Sequence, residues 1–366
     1  MKALILGTNA GQADIIRFLK NNNWEVHACG YKKEGPGCSL ADKFHLVNIV
    51  DSEEVATLAR SINADIVYSV SSDLAIKTVT TVSEKLNLPH FLNSEIIELF
   101  DKKELLRKFL NENNICKVAY ASFTGLEEAS VWNVFPCVVK PTDSQGQRGV
   151  QLIESKDNYL EAVDEAIKSS KSGTAIVEEY FNGIEFSSNI VVQNGELIVN
   201  EFTERYVHGK EYFGLPKGHG IPIRSFDLKM LEEATSMIKQ LISHLNIKDA
   251  ILYIQMVATN NGVRIIEVAP RLDGCHIWRL LRFARGYDLR EYAIKALLGE
   301  IINHNPTDFG SHSLYFDQIN AGKKYYKSLL DKPINSLFHE FRYEDGEEVV
   351  KINGRLEVVG YYIVKD

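Results

Sequence analysis

The sequence is short of several things, and each shortage removes a class of protein. Its five cysteines (Cys29, Cys38, Cys116, Cys137, Cys275) form no CxxC pair and no metal-ligand spacing. An odd count also argues against a disulfide framework, so a reducing cytoplasm is the expected compartment. No apolar run reaches the roughly 20 residues that span a bilayer. The amino-terminal Met1-Lys2-Ala3-Leu4-Ile5-Leu6-Gly7 is followed by no cleavage-like site and reads as a first β-strand. Positive charge is scarce: 41 Lys plus Arg against 49 Asp plus Glu leave a formal charge of −8, which disfavours a general nucleic-acid face. The first glycine-bearing turn, Gly7-Thr8-Asn9-Ala10-Gly11, lacks the GxGxxG spacing of a dinucleotide site. Nor is there a Ser-His-Asp or Cys-His arrangement that would supply a nucleophile.

What is present is a soluble, globular α/β pattern long enough, at 366 residues, for two or three domains. Over residues 1–100, short apolar runs at Lys2–Leu6, Glu25–Cys29, His45–Asn48 and Ile66–Ser69 alternate with helical stretches at Gln12–Asn22, Glu53–Ile62 and Leu74–Leu86. That alternation predicts a doubly wound parallel sheet with ligand space beyond the strands' carboxyl ends. A helix over Lys102–Asn113 leads into a small α+β unit ending near residue 185. Strands Cys137–Lys140 and Ala175–Glu179 bracket it around a helix at Tyr159–Ser169. Residues 186–305 form a larger α+β unit with a helix at Leu228–Leu245. It also contains a hairpin, Ala250–Ala258 and Val263–Val268, turned by Asn260-Asn261-Gly262. Residues 306–366 read as a small β-rich segment.

Three stretches carry chemistry. In Val138-Val139-Lys140-Pro141-Thr142-Asp143-Ser144-Gln145-Gly146-Gln147-Arg148-Gly149, a strand ends in a lysine and a Gly- and Ser-bearing turn follows. Such a turn can surround phosphate oxygens while the ammonium neutralises them; the alternative is a solvated hairpin loop. In Ala175-Ile176-Val177-Glu178-Glu179-Tyr180-Phe181-Asn182-Gly183-Ile184-Glu185, a strand leaves its sheet and frees backbone groups that match the edge of adenine. An acidic pair alone is usually a solvated edge. In the hairpin, Gln255 and Glu267 could project from neighbouring strands on one face, where oxygen ligands suit Mg²⁺; the alternative is an ordinary cross-strand polar pair. Pro270 then ends the pairing and presents Arg271.

The ordered set Asp101-Lys102, Val139-Lys140, the loop to Arg148-Gly149, Val177-Glu178-Glu179-Tyr180-Phe181-x-Gly-x-Glu185 and Ile266-Glu267-Val-Ala-Pro-Arg271 resembles the ATP-grasp superfamily over about residues 1–300. The resemblance implies a pre-ATP-grasp domain over 1–100 and ATP-grasp subdomains over 101–185 and 186–305. It implies that Lys102 and Lys140 contact ATP phosphates, and that the loop Ser144–Gly149, with Ser144, Gly146, Arg148 and Gly149, closes over them. Glu178, the backbone of Glu179 and Phe181, and Glu185 would hold adenine and ribose, and Glu267, aided by Gln255, would hold Mg²⁺ or Mn²⁺. Arg271 would stabilise a developing acyl phosphate. Two departures stand out: Gln255 replaces the usual carboxylate on the first hairpin strand, and Ala269 replaces a frequent Asn.

The Glu-Val-Ala-Pro-Arg-Leu-Asp-Gly-Cys-His stretch is similar to the carboxylate–amine ligases, including amino-acid ligases. It implies small-molecule carboxylate and amine substrates, ADP as product, neither nucleic-acid nor membrane partners, and an admissible homodimer. Carboxylation through carboxyphosphate and a nucleotide-binding module without turnover are the alternatives. For the substrate side, Phe202–Pro222 is read as a long irregular loop supplying Arg205, His208 and His219. His276 follows Arg271 closely, and Ser72 and Asp73 lie at a strand's carboxyl end.

Overall fold

A computed structural model describes residues 1–143, 149–209, 212–330, 333, 335–352 and 356–366. The chain begins with β1 (Lys2–Leu6), α1 (Ala10–Asn21), β2 (Glu25–Gly30), α2 (Gly37–Leu40), β3 (Lys43–Leu46), α3 (Ser52–Ile62), β4 (Ile66–Tyr68) and α4 (Asp73–Leu86). The strands form the expected parallel sheet, in the order β3-β2-β1-β4. Asn9 and Asp51 cap α1 and α3 by accepting from the first-turn N–H groups.

The helix expected over Lys102–Asn113 is α6 (Lys103–Glu112), and a further helix not read from the sequence, α5 (Ser94–Asp101), runs directly into it. The break falls on Lys102, whose extended backbone ends one helix and opens the next. A small sheet follows from β5 (Tyr120–Phe123), α7 (Leu126–Ala129), β6 (Cys137–Pro141), β7 (Gln151–Ile153), α8 (Tyr159–Ser169) and β8 (Ala175–Glu179), in the order β5-β8-β6-β7.

The rest of the chain builds one eight-stranded sheet. Its elements are β9 (Ile184–Gln193), β10 (Glu196–Val207), β11 (Pro216–Ile221), α9 (Leu228–His244), β12 (Ala250–Thr259), β13 (Gly262–Ala269), α10 (Ile277–Arg285), α11 (Leu289–Leu297), β14 (His312–Asn320), β15 (Ser336–Phe341) and β16 (Leu356–Lys365). The order is β13-β12-β9-β10-β11-β14-β16-β15. The carboxy-terminal strands thus extend the large sheet through β11 rather than forming a sheet of their own. The loop expected over Phe202–Pro222 is also largely strand. Two of its glycines serve close packing: a Cβ at Gly218 would lie 2.1 Å from the Leu314 carbonyl oxygen, and one at Gly220 would lie 1.9 Å from the Tyr206 hydroxyl.

Strand alternation divides the large sheet into two faces. Phe186, Ile190, Leu252, Ile254 and Met256 pack with α5, α6 and α9 on one. On the other, Val191, Val199 and Ile251 lie under Trp278, Leu281 and Leu289, which in turn meet Ile15, Ile16 and Leu19 of α1. The joint between the first domain and the large sheet has a polar centre at buried Asp14. It accepts from His276 Nδ1 at 3.1 Å, Trp278 Nε1 at 3.2 Å and Arg279 Nη2 at 3.0 Å. Burial alone would raise the Asp14 carboxyl, but the His276 bond and the charges of Arg279 and Arg290 carry it well below the usual carboxylate range.

Candidate functional site

A cleft of about 910 Å³ opens between the small sheet and the second face of the large one. From the small sheet, β6 brings Lys140 and Val138 and β8 brings Glu178, all on one face because Lys140 pairs with Ile176 and Val138 with Glu178. Lys140 Nζ donates to Glu178 Oε2 at 2.6 Å, and Arg107 Nε of α6 donates to Glu178 Oε1 at 2.7 Å. Burial would raise the Glu178 carboxyl, yet Arg107 and Lys140 hold it down to about 2. Burial pulls the Lys140 ammonium below its ordinary value, against the attraction of Glu178. Two cations on one carboxylate leave the cleft floor with a surplus positive charge, which suits a polyanion.

From the large sheet comes a polar row. Gln255 pairs with Glu267 on β13 and with Ser187 on β9, which sets these side chains on the face toward the cleft. Glu185, opposite Arg205 across the β9–β10 ladder, accepts from Arg205 Nη1 at 2.5 Å and from Gln255 Nε2 at 2.8 Å. The Gln255 amide nitrogen is thereby spent on Glu185, and exposed Glu267 lies across the ladder from it. One charged and one neutral oxygen side by side fit Mg²⁺, which keeps several waters and takes phosphate oxygens for the rest. Among the described residues no group of three or more His, Cys, Asp or Glu could hold a metal unaided. Replacing Gln255 by glutamate should lower the Mg²⁺ concentration needed for nucleotide binding. It should also cost metal-free stability, because a second carboxylate then faces Glu185. An unchanged Mg²⁺ titration of ADP binding would remove Gln255 from the metal site.

At the inner end, Arg271 Nη2 donates to Asp73 Oδ2 at 2.7 Å, Nε donates to Oδ1, and Nη1 reaches the Leu272 carbonyl at 3.0 Å. Burial would lower the guanidinium, but Asp73 raises it above its ordinary value, so the charge is permanent. Asp73 reaches the cleft because it opens α4 at the carboxyl end of β4.

Several expectations need correction. Lys102 lies on the surface, paired with Glu98 at 2.5 Å; the break between α5 and α6 turns the next residue, Lys103, toward the cleft. Glu178 faces the cleft but is engaged by Arg107 and Lys140, so its carboxylate is spent on cations rather than left for adenine. Glu185 is likewise engaged by Arg205 and Gln255. Glu179 lines the cleft, but its carboxylate accepts from Ala119 N–H at 2.9 Å and its own N–H goes to the Ala119 carbonyl. Phe181, just beyond β8, also lines it.

His219 is fully buried in β11, with Nε2 unpartnered among the described residues, and burial pushes it down to about 3. His276 is buried between Asp14 and Arg342, pushed down to about 4 by burial, and Ser72 is outside the lining. Arg205 and His208 do line the cleft, the latter tied to Gln318 at 2.7 Å. Gly149, at φ +73, precedes the lining residue Val150, whereas Ser144, Gly146 and Arg148 lie outside the described residues. Sequence reasoning missed Arg107, Lys103 and Tyr253. Only Arg107 left a signal, as a charge on the buried stripe of a helix beside Leu106 and Leu110.

A lysine-bearing small antiparallel sheet thus faces a carboxylate-bearing hairpin across one cleft. Residues 133–278 match the family described as ATP-grasp domain. A formate-dependent phosphoribosylglycinamide formyltransferase of Prochlorococcus marinus (strain NATL2A) is 25% identical over 60% of this chain and 54% of its own length. The chain thus spans about half of that relative. The fold is similar to that of phosphoribosylglycinamide synthetase from Anaerococcus prevotii, with a TM-score of 0.75, 19% identity, and coverage of 100% of this chain and 94% of that one. It is also similar to L-amino acid ligase from Bacillus licheniformis, with a TM-score of 0.79, 15% identity, and coverage of 99% and 92%. No described helix is long and apolar enough to cross a membrane.

Proposed function

We propose that this chain is an ADP-forming carboxylate–amine ligase working through an acyl phosphate. The observation that carries this reading is the meeting in one cleft of Lys140 from β6, Glu267 from β13 and Arg271 just beyond the end of β13, each suited to a distinct task in phosphoryl transfer. Such transfer needs positioning and charge neutralisation more than a side-chain nucleophile. Lys140 and Lys103 would neutralise phosphate oxygens. Glu267 and the Gln255 carbonyl would hold Mg²⁺, which when bound supplies Lewis-acid charge at the β- and γ-phosphates. Val138, Leu152, Phe181 and Val257 offer apolar surface for adenine. Arg271, held by Asp73, would orient the substrate carboxylate and stabilise charge as it attacks the γ-phosphorus. An amine would then capture the acyl carbon and release phosphate. The names of the relatives, a formyltransferase and two ligases or synthetases, agree with this class. Five unpaired cysteines suit a cytoplasmic setting.

The test is ADP release across a panel of carboxylates and amines, with and without bicarbonate. With the coupled carboxylate labelled by oxygen-18, one labelled oxygen is expected in the inorganic phosphate. AMP and pyrophosphate as products, or unlabelled phosphate from a reaction that still couples the substrates, would reject the acyl-phosphate route. ADP release that requires bicarbonate would point to carboxyphosphate instead.

A further inference from the structure

The hairpin that carries Glu267 is irregular at the point that matters. Val257 pairs with Arg264 and Met256 with Ile265, but Gln255 then pairs with Glu267, so Ile266 is an extra residue without a partner on β12. Such a bulge re-aims the side chains beyond it. With regular pairing, Glu267 would sit opposite Ile254, which is fully buried in the core on the far face. The bulge alone puts the carboxylate beside Gln255, in the cleft.

β13 is also the edge of its sheet, so its outward backbone groups need partners from elsewhere. Arg107 of α6 supplies them, with Nη1 donating to the Ile265 carbonyl at 2.6 Å and Nη2 to the Ile266 carbonyl at 2.7 Å. The Ile265 N–H meets Cys116 Sγ at 3.3 Å. The remaining edge of the same guanidinium holds Glu178, which holds Lys140.

We propose that Arg107 is a positioning residue that clamps the Ile265–Ile266 bulge and, through Glu178, the Lys140 ammonium, so that metal side and phosphate side of the nucleotide are set by one buried side chain. This rests on the reading of the cleft as a Mg²⁺–nucleotide site. Arg107 need not touch the nucleotide. Its planar fork is what allows two carbonyls and a carboxylate to be held at once, and a lysine can serve only part of that set.

The test is calorimetric binding of ADP with and without Mg²⁺ to the full chain, its Arg107→Lys variant and its Arg107→Met variant. Arg107→Lys keeps the charge beside Glu178, so it carries the test if Arg107→Met does not fold. In the unaltered protein Mg²⁺ should strengthen ADP binding, and in Arg107→Lys that enhancement should fall at least about tenfold while metal-free binding changes less. A merely structural role would lower the melting temperature or weaken both titrations alike, and either pattern with the Mg²⁺ enhancement intact overturns the proposal. If the unaltered chain shows no Mg²⁺-dependent ADP binding, the nucleotide-site reading itself falls, and the proposal with it.

Discussion

Glu267→Ala is expected to reduce ADP release by roughly three orders of magnitude while leaving metal-free ADP binding nearly intact. The carboxylate lies at the surface of the cleft and makes no ion pair with the described residues, so its removal leaves no buried charge behind. The loss falls on the metal. A bound divalent ion supplies several kcal/mol of transition-state charge stabilisation, and each 1.4 kcal/mol is about a factor of ten in rate. Gln255 alone offers a neutral oxygen and cannot replace it. A Mg²⁺ titration of ADP binding should show the enhancement gone. If both the titration and the rate were unchanged, the β12–β13 hairpin would not be the metal site.

Lys140→Met should act by another route. A hydrogen bond to a charged group contributes about 1.5–3 kcal/mol, so ADP affinity should fall roughly ten- to a hundredfold. The loss should be the same with and without Mg²⁺, because the proposed contact of the ammonium with the phosphates does not pass through the metal. Stability should also suffer, since Glu178 stays buried with Arg107 as its only remaining cation among the described residues. Parallel ADP titrations separate the two variants: one changes the metal dependence, the other the affinity throughout. A Lys140→Met protein that binds ADP as well as its parent would exclude Lys140 from the phosphate site.

The first sheet was legible because parallel βαβ units write themselves as alternating apolar and amphipathic runs, and β1 and α8 match their expected bounds residue for residue. The hairpin was legible from its Asn-Asn-Gly turn. The stretch Phe202–Pro222 was misread because Gly218 and Gly220 look like loop residues, whereas they are the positions where β11 approaches Leu314 and Tyr206 too closely for a side chain. His219 and His276 attracted notice as polar residues near the motifs. Their tertiary surroundings buried one beside Arg205 and spent the other on Asp14 and Arg342.

By itself the sequence determined the class of fold and the residue types that the proposed ligase chemistry needs, because strand and helix periodicity and the order of the motifs are local properties of the chain. Which of those residues meet was decided only by tertiary structure. A one-residue bulge chose the face on which Glu267 emerges, a helix break chose Lys103 over Lys102 for the cleft, and Arg107 was brought within reach of Ile265 and Glu178. The physical reason is that side-chain direction depends on register and packing between segments far apart in the chain, and a shift of one residue reverses it.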